Sequence, residues 1–323
     1  MSGYKSLTAR EAAEVLSSLS APTVIMHARP DGDTVGSASA MLKILRQLGK
    51  APEYACQDKI PDRLAFLLCG EVRSESLEGR DLIAVDVAST TQLGSLSEYS
   101  DRIKLTIDHH AVNTPFSDNF TLPDVSSAAE ALTAVLDELI KDGKASLTEE
   151  VAYPLYAAIS SDTGGFLFSS ASPTTYRIAA ELMECGIDFA DINHRLFHSK
   201  SKEQLLAEGF IASKIKTAAN GKIAYATLSA EDRTRLGLRG EHFETAIDII
   251  RSVLFAEIAL FVRENDDGTL KASMRSTGAN VAEIAAEFGG GGHIRAAGCS
   301  PVASSAEEGA KLIISRLLSI VEN

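Results

Sequence analysis

Between Thr23 and Glu184 the chain alternates short apolar runs with longer stretches whose apolar residues recur every three or four positions. That alternation leaves little choice of fold. Each run is a strand, each longer stretch a covering helix, and strands joined through helices lie parallel. The expected strands are Thr23–His27, Glu53–Cys56, Leu82–Val87 and Lys104–Ile107. The expected helices are Ala9–Leu19, Val35–Leu48, Ser127–Lys141, Thr148–Ser160 and Pro173–Glu184. Asp58–Val72 reads as a loop with one helical turn. The class is α/β, a parallel sheet with helices on both faces.

A polar helical stretch at 188–216 reads as a linker between a first domain, 1–187, and a second, 217–323. In the second domain Lys222–Leu228, Ala256–Glu264 and Leu270–Arg275 are strands, and Asn265-Asp266-Asp267-Gly268 turns a hairpin between the last two. With helices at Phe243–Leu254, Asn280–Phe288 and Ser305–Ile320, this domain is a smaller α+β unit. At 323 residues the chain is long enough for two cores.

The polar residues that close the apolar runs carry the chemistry. His27-Ala28-Arg29-Pro30-Asp31-Gly32-Asp33 lies on a tight turn from a strand's carboxyl end to a helix's amino end, where open α/β sheets bind ligands. Pro30 and Gly32 suit the turn, and Asp33 could cap the helix. A cap uses one side chain, however, and three metal-binding ones are present. Nitrogen and oxygen donors without a thiolate suit Mn²⁺, Fe²⁺, Zn²⁺ or Mg²⁺.

Farther along, Leu82–Val85 ends in Asp86, Ile103–Ile107 in Asp108-His109-His110, and Thr148–Ser160 in Ser161-Asp162-Thr163-Gly164-Gly165. A lone strand-terminal Asp such as Asp86 is ordinarily a turn residue. An Asp-His-His triplet has no such explanation in propensity. A sheet that gathers these ends gathers anions, which is costly unless metal charge balances them. Two divalent ions bridged by a shared carboxylate meet that need.

In the second domain, Gly289-Gly290-Gly291-Gly292-His293 is followed by Ala296-Ala297-Gly298. A helix cap explains one glycine, not four. A glycine loop would bring backbone N–H groups close to an anion, with His293 as a further donor. A flexible surface loop is the plainer alternative.

A net charge of -13 excludes a broad basic face for long nucleic acid, but not a short charged substrate. Cys56, Cys69, Cys185 and Cys299 are scattered without a C-x-x-C pair, as in reduced cytoplasmic proteins. The amino terminus lacks a signal-peptide core, and no apolar run reaches the ~20 residues of a membrane helix. A cytoplasmic protein is expected, without membrane contact, as a monomer or homodimer. His194, His198 and His242 are expected on the surface or linker, and Lys200 and Lys202 on a solvated helix face.

Taken in order, His27-x-x-Pro-Asp31-x-Asp33, Asp86, Asp108-His109-His110 and Ser161-Asp162-Thr163-Gly164 resemble the four motifs of the DHH phosphoesterase superfamily. The resemblance implies one metal held by His27, Asp31 and a bridging Asp86, and a second by Asp33, Asp86, His109 and Asp162. It makes Asp108 a support or supplementary ligand, and gives His110 the scissile phosphate or the leaving oxygen's proton. The family's usual metal is Mn²⁺, with Mg²⁺ or another divalent ion as the alternative.

The glycine run resembles the G-G-G-H-x-x-A-A-G signature of the DHH-associated carboxyl-terminal domain, and Arg275-Ser276 its R-S element. By that likeness Arg275, Ser276, Gly290, Gly291, Gly292 and His293 hold a substrate phosphate. The combination is similar to the bacterial nanoRNase and pAp-phosphatase group. It implies hydrolysis of short oligoribonucleotides, linear dinucleotides such as diadenylate, and adenosine 3′,5′-bisphosphate. A soluble cyclic-di-AMP phosphodiesterase and a catalytically inactive nucleotide sensor are the alternatives.

Overall fold

The structure, a computed structural model, describes residues 3–321, and the chain divides into two units with the boundary between Ser199 and Lys200. The first unit is built on five strands: β1 (Pro22–Ile25), β2 (Glu53–Ala55), β3 (Asp81–Val85), β4 (Ile103–Asp108) and β5 (Asn119–Thr121). All pair in parallel, in the order β2-β1-β3-β4-β5. The chain leaves β1 for the edge strand β2 and returns to β3 on β1's other side, which opens a crevice at their carboxyl ends.

Five longer helices belong to this unit: α1 (Ala9–Ser18) before β1, α2 (Gly32–Gln47) between β1 and β2, and α3 (Ala128–Lys141), α4 (Glu149–Asp162) and α5 (Pro173–Glu184) after β5. Alternate strand residues serve opposite faces. Ile83, Val85, Leu105 and Ile107 pack under the α-helices, while Leu82, Ala84 and Ile103 meet Leu93 of the 3₁₀-helical stretch Thr90–Arg102, with Phe116. The expected loop at Asp58–Val72 carries its helical turn as a 3₁₀ helix, Asp62–Leu68.

Helix α2 is buried without a break from Gly32 to Leu42, which its small residues permit. A Cβ at Gly36 would stand 2.7 Å from the Pro154 carbonyl oxygen, and one at Gly32 only 2.0 Å from Ser161 Oγ. Bare glycines thus let α2 lie against α4 and bring the turn bearing Asp31 and Asp33 beside the end of α4 bearing Asp162.

The stretch 188–216 is largely helical and contains the unit boundary: α6 (Phe189–Asn193), a π-helical turn His194–His198, and α7 (Lys202–Lys214). The second unit holds a six-stranded sheet of β6 (Lys216–Ala218), β7 (Ile223–Leu228), β8 (Ile258–Glu264), β9 (Leu270–Ser276), β10 (Gly291–His293) and β11 (Ala296–Cys299). Its order is β10-β11-β9-β8-β7-β6, and only β7–β8 is parallel.

The remaining helices are α8 (Ala230–Leu236), α9 (Ala246–Arg251), α10 (Val281–Glu287) and α11 (Ala306–Val321). One sheet face packs with α10 and α11, the other with α7 and α9. The helix expected at Phe243–Leu254 is shorter. A 3₁₀ turn, Gly240–Phe243, precedes α9, which ends at Arg251 with the Ser252 N–H bonded to Asp248 O. Among the described residues no helix is long and apolar enough to cross a membrane.

Candidate metal centre

Strands β1, β3 and β4 are neighbours, so the residues just past their carboxyl ends meet. His27 follows β1, Asp86 follows β3, and β4 ends in Asp108 with His109 and His110 behind it. Asp31 is the N-cap of α2, its Oδ1 accepting from the N–H groups of Asp33 and Thr34 at 3.1 Å each. Its carboxylate therefore caps the helix and also borders the cluster. Asp86 has a φ of 60°, the left-handed region that Asp tolerates better than most residues. Its N–H is fixed on the Ile107 carbonyl at 2.9 Å.

The distances divide the donors into two sets around Asp86. His27 Nε2 lies 3.5 Å from Asp86 Oδ2 and 3.8 Å from Asp31 Oδ1. His109 Nε2 lies 3.6 Å from the other oxygen, Asp86 Oδ1, 3.7 Å from Asp33 Oδ2 and 3.8 Å from Asp162 Oδ2. Two donors each ~2.1 Å from one ion and 90–120° apart stand about 3.0–3.6 Å from each other. The observed gaps are close to that and longer than hydrogen bonds. His27-Asp31-Asp86 and Asp33-His109-Asp162 could each hold a metal ion, and so could Asp86-His109-His110.

Supporting bonds orient the donors. His27 Nδ1 lies 2.8 Å from the Ala28 carbonyl, so Nδ1 carries the proton and Nε2 is the free donor. Asp33 is buried and accepts from the N–H groups of Ala128 (2.7 Å) and Ala129 (3.2 Å), at the start of α3, and from Ser37 Oγ (2.9 Å). His110 Nδ1 is 2.7 Å from Asp108 Oδ1, closer than its 3.7 Å to Asp86 Oδ1, which pairs it with Asp108. The buried Asp108 Oδ2 has no hydrogen-bond partner among the described residues. A polar oxygen bare at that depth calls for a cation or a water.

Without metal the cluster keeps protons. Burial opposes the charge on His27, but the Asp31 and Asp86 carboxylates outweigh it and raise the pKa to about 10. Burial and then repulsion from Asp31 lift Asp162 to about 6. At Asp86 burial, with Asp31, prevails over the help from His27 and His109, and its pKa is also about 6. Burial, then Asp86, Asp162 and Asp31, push Asp33 well above the ordinary range.

A metal must displace these protons. The apparent Mn²⁺ affinity is therefore expected to fall as the pH drops from about 8 to about 5, with protons released on binding. Calorimetric titration in buffers of different ionisation enthalpy measures both, and an affinity flat across that range contradicts the assignment.

All eight catalytic and metal-binding candidates of the first unit thus converge. The π-helical turn instead holds His194 and His198, and the 3₁₀ turn before α9 holds His242. The α3 N–H groups that support Asp33 have no sequence signal, being 95 and 96 residues away. In the second unit only the first half of the glycine run is loop, Gly289 in a turn and Gly290 leading out of it. Gly291–His293 is the sheet's edge strand, paired with Ala296–Gly298. A Cβ at Gly290 would lie 2.1 Å from the Gly298 carbonyl oxygen and one at Gly292 2.5 Å from that of Ala296, so close strand packing demands glycine.

His293, Ala296, Arg275 and Ala259 form one cross-strand row. Residues opposite one another share a face, so Arg275 and His293 stand on one side of the sheet, about 10 Å apart, with only the Ala296 methyl between. Ser276 continues this end of the sheet, its N–H bonded to the Arg295 carbonyl at 2.9 Å and its hydroxyl accepting from Gly278 N–H at 3.1 Å. Arg295 itself turns away, onto the Thr277 carbonyl.

Residues 23–159 match the DHH family, N-terminal domain, and residues 220–319 the DHHA1 domain. The chain is 32% identical over 90% of its length, and 87% of the relative's, to a Thermus thermophilus protein named bifunctional oligoribonuclease and PAP phosphatase NrnA. A Bacillus subtilis protein of the same name is 27% identical over 86% of this chain and 89% of its own. Among solved structures, an exopolyphosphatase-related protein from Bacteroides fragilis superposes with a TM-score of 0.86 at 22% identity, covering 98% of this chain and 97% of the other.

Proposed function

The chain belongs to the DHH family and carries a DHHA1 domain, and from that premise we propose that it is a metal-dependent phosphoesterase of short nucleotides. Its substrates are short oligoribonucleotides, including linear dinucleotides such as diadenylate, and/or adenosine 3′,5′-bisphosphate; its relatives are named for oligoribonuclease and PAP phosphatase activity. The observation that carries the reading is the Asp86 carboxylate, whose two oxygens face two separate donor sets.

His27, Asp31 and Asp86 would hold one divalent ion, and Asp33, Asp86, His109 and Asp162 a second. Mn²⁺ suits this nitrogen–oxygen set without thiolate. When bound, such ions neutralise phosphate charge and make water acidic enough to attack phosphorus near neutral pH. The protein's own part is orientation and proton delivery. Asp108 fixes the His110 ring through Nδ1 and favours its protonated form. Nε2–H is then the ring's available donor. As the ester P–O bond breaks, His110 gives that proton to the leaving oxygen.

Within the second unit, Arg275, Ser276, the Gly290–Gly292 backbone and His293 form a phosphate-binding set of their own. Support comes from the shared row of Arg275 and His293 with a small residue between them. Arg275→Ala is expected to raise KM for diadenylate about 10- to 100-fold, as the loss of a charge-assisted phosphate contact does, with kcat changed far less. Steady-state kinetics checks it. An unchanged KM removes Arg275 from the binding site. The four cysteines, all unpaired, suit action in the reducing cytoplasm.

A further inference from the structure

Behind the metal centre, Asp108 borders a small pocket that the strand register creates. In the parallel pair β4–β5, Thr106 lies beside Asn119 and Asp108 beside Thr121. Strand alternation puts these four polar side chains on one sheet face. It is the face of Ala84, while Leu105, Ile107 and Phe120 serve the helix-covered side. A polar block on a covered face needs polar partners. Over it runs the segment Asn113–Ser117, tied to the exit of β3 by Thr114 N–H on Ala88 O at 2.8 Å, with Phe116 buried against the sheet. The pocket lined by these residues admits a water's centre over about 10 Å³, room for one molecule.

The protons around this pocket have a direction. Ser117 Oγ donates to the Asp118 carbonyl at 2.9 Å, so in its 2.7 Å contact with Thr106 the shared proton is that of Thr106. Thr106 Oγ1 then offers lone pairs only. The Thr121 hydroxyl reaches Asn119 Oδ1 only at a long 3.4 Å. Asp108 gives Oδ1 to His110 Nδ1 at 2.7 Å, and its buried Oδ2 meets no donor among the described residues. The lining thus presents two acceptors and one weakly used donor.

We propose that this pocket holds one water, which donates to Asp108 Oδ2 and Thr106 Oγ1 and accepts from the Thr121 hydroxyl, fixing the carboxylate that orients His110. Three partners suit a buried water. A cation wants about six oxygens, and much of this wall is apolar, Val87, Ala88, Pro115 and Phe116. Without the water's bond the Asp108 carboxylate can swing about its Cβ–Cγ axis and take the His110 ring with it. Thr106 and Thr121 are then positioning residues, acting on the leaving oxygen's proton through Asp108 and His110. That role rests on the phosphoesterase reading, whereas the water site does not.

Crystals of the Mn²⁺-loaded protein that show ordered waters test the site, and kinetics with diadenylate test its role. The expected density is a water within hydrogen-bond distance of Asp108 Oδ2, Thr106 Oγ1 and Thr121 Oγ1. The double variant Thr106→Val/Thr121→Val keeps the branched shape and removes both hydroxyls. It is expected to lose the water and lower kcat about tenfold, the worth of a hydrogen bond to a charged group. KM and two Mn²⁺ per chain stay unchanged, and serine at both positions restores the water and the rate. Thr121→Val alone, on the edge strand with the Thr106–Ser117 bond left in place, gives a smaller loss of the same kind should the pair not fold. A wild-type pocket without a water, or with a metal ion in it, overturns the proposal. So does a valine variant that loses the water at unaltered kcat. A wild type that holds the water but turns over no substrate takes down the phosphoesterase reading and the positioning role, and leaves the water site standing.

Discussion

Asp86→Ala is expected to lower hydrolysis of diadenylate by roughly 10³-fold or more and to remove both metals rather than one. Each oxygen of this carboxylate faces a different donor set, and among the described residues no other single side chain faces both. Lewis-acid stabilisation of a phosphoryl transition state is worth several kcal/mol, and about 4 kcal/mol is about 10³ in rate. Loss of the fold is not the expected cause. Burial pushes the Asp86 pKa up to about 6. A folded-state value above the unfolded one means the ionised form costs the metal-free protein stability as pH rises through that range. At about pH 8, metal-free Asp86→Ala should therefore unfold in urea much as the wild type does. Metal analysis beside the kinetics decides the matter, since a variant that still binds two Mn²⁺ per chain removes the bridging role.

His110→Ala should reduce kcat by about 10²- to 10⁴-fold, the span of general acid–base catalysis, while two Mn²⁺ per chain still bind. The distinction follows from Nδ1 lying 2.7 Å from Asp108 Oδ1, a hydrogen bond rather than a ligand-to-ligand gap. A general acid must be protonated, so the wild-type kcat falls as pH rises through the His110 pKa, which Asp108 holds above the usual imidazole value. That alkaline limb should vanish in His110→Ala and move to lower pH in Asp108→Asn, where the raising charge is gone. Loss of metal in His110→Ala would make it a ligand and end its role as proton donor.

Much of this centre was legible in the sequence because strand ends announce themselves. His27, Asp86 and Asp108-His109-His110 each stand where an apolar run stops, and parallel pairing brings those stops together. Asp162 was legible in the same way at the end of a helical pattern. The support behind Asp33 was not, because backbone N–H groups of Ala128 and Ala129 leave no trace in side-chain identity. The glycine run was read as a loop throughout and its second half is strand, since the glycines at 290 and 292 say that a Cβ has no room without saying what fills it. Here a neighbouring strand does. The turn at Gly164–Phe166 was equally hidden, because nothing in the residue Phe166 signals a positive φ. The short strand β5 has no alternating pattern to find, and it exists because Thr106 N–H bonds to Asp118 O and Leu122 N–H to Asp108 O.

Turnover by the purified protein with Mn²⁺, offered diadenylate, adenosine 3′,5′-bisphosphate, cyclic-di-AMP and pyrophosphate, and repeated with chelator, is the most direct measurement of the central claim. Metal-dependent hydrolysis of diadenylate or the bisphosphate, lost with chelator, is the predicted result. Cleavage of pyrophosphate alone, or nucleotide binding with no turnover of any substrate, would contradict it.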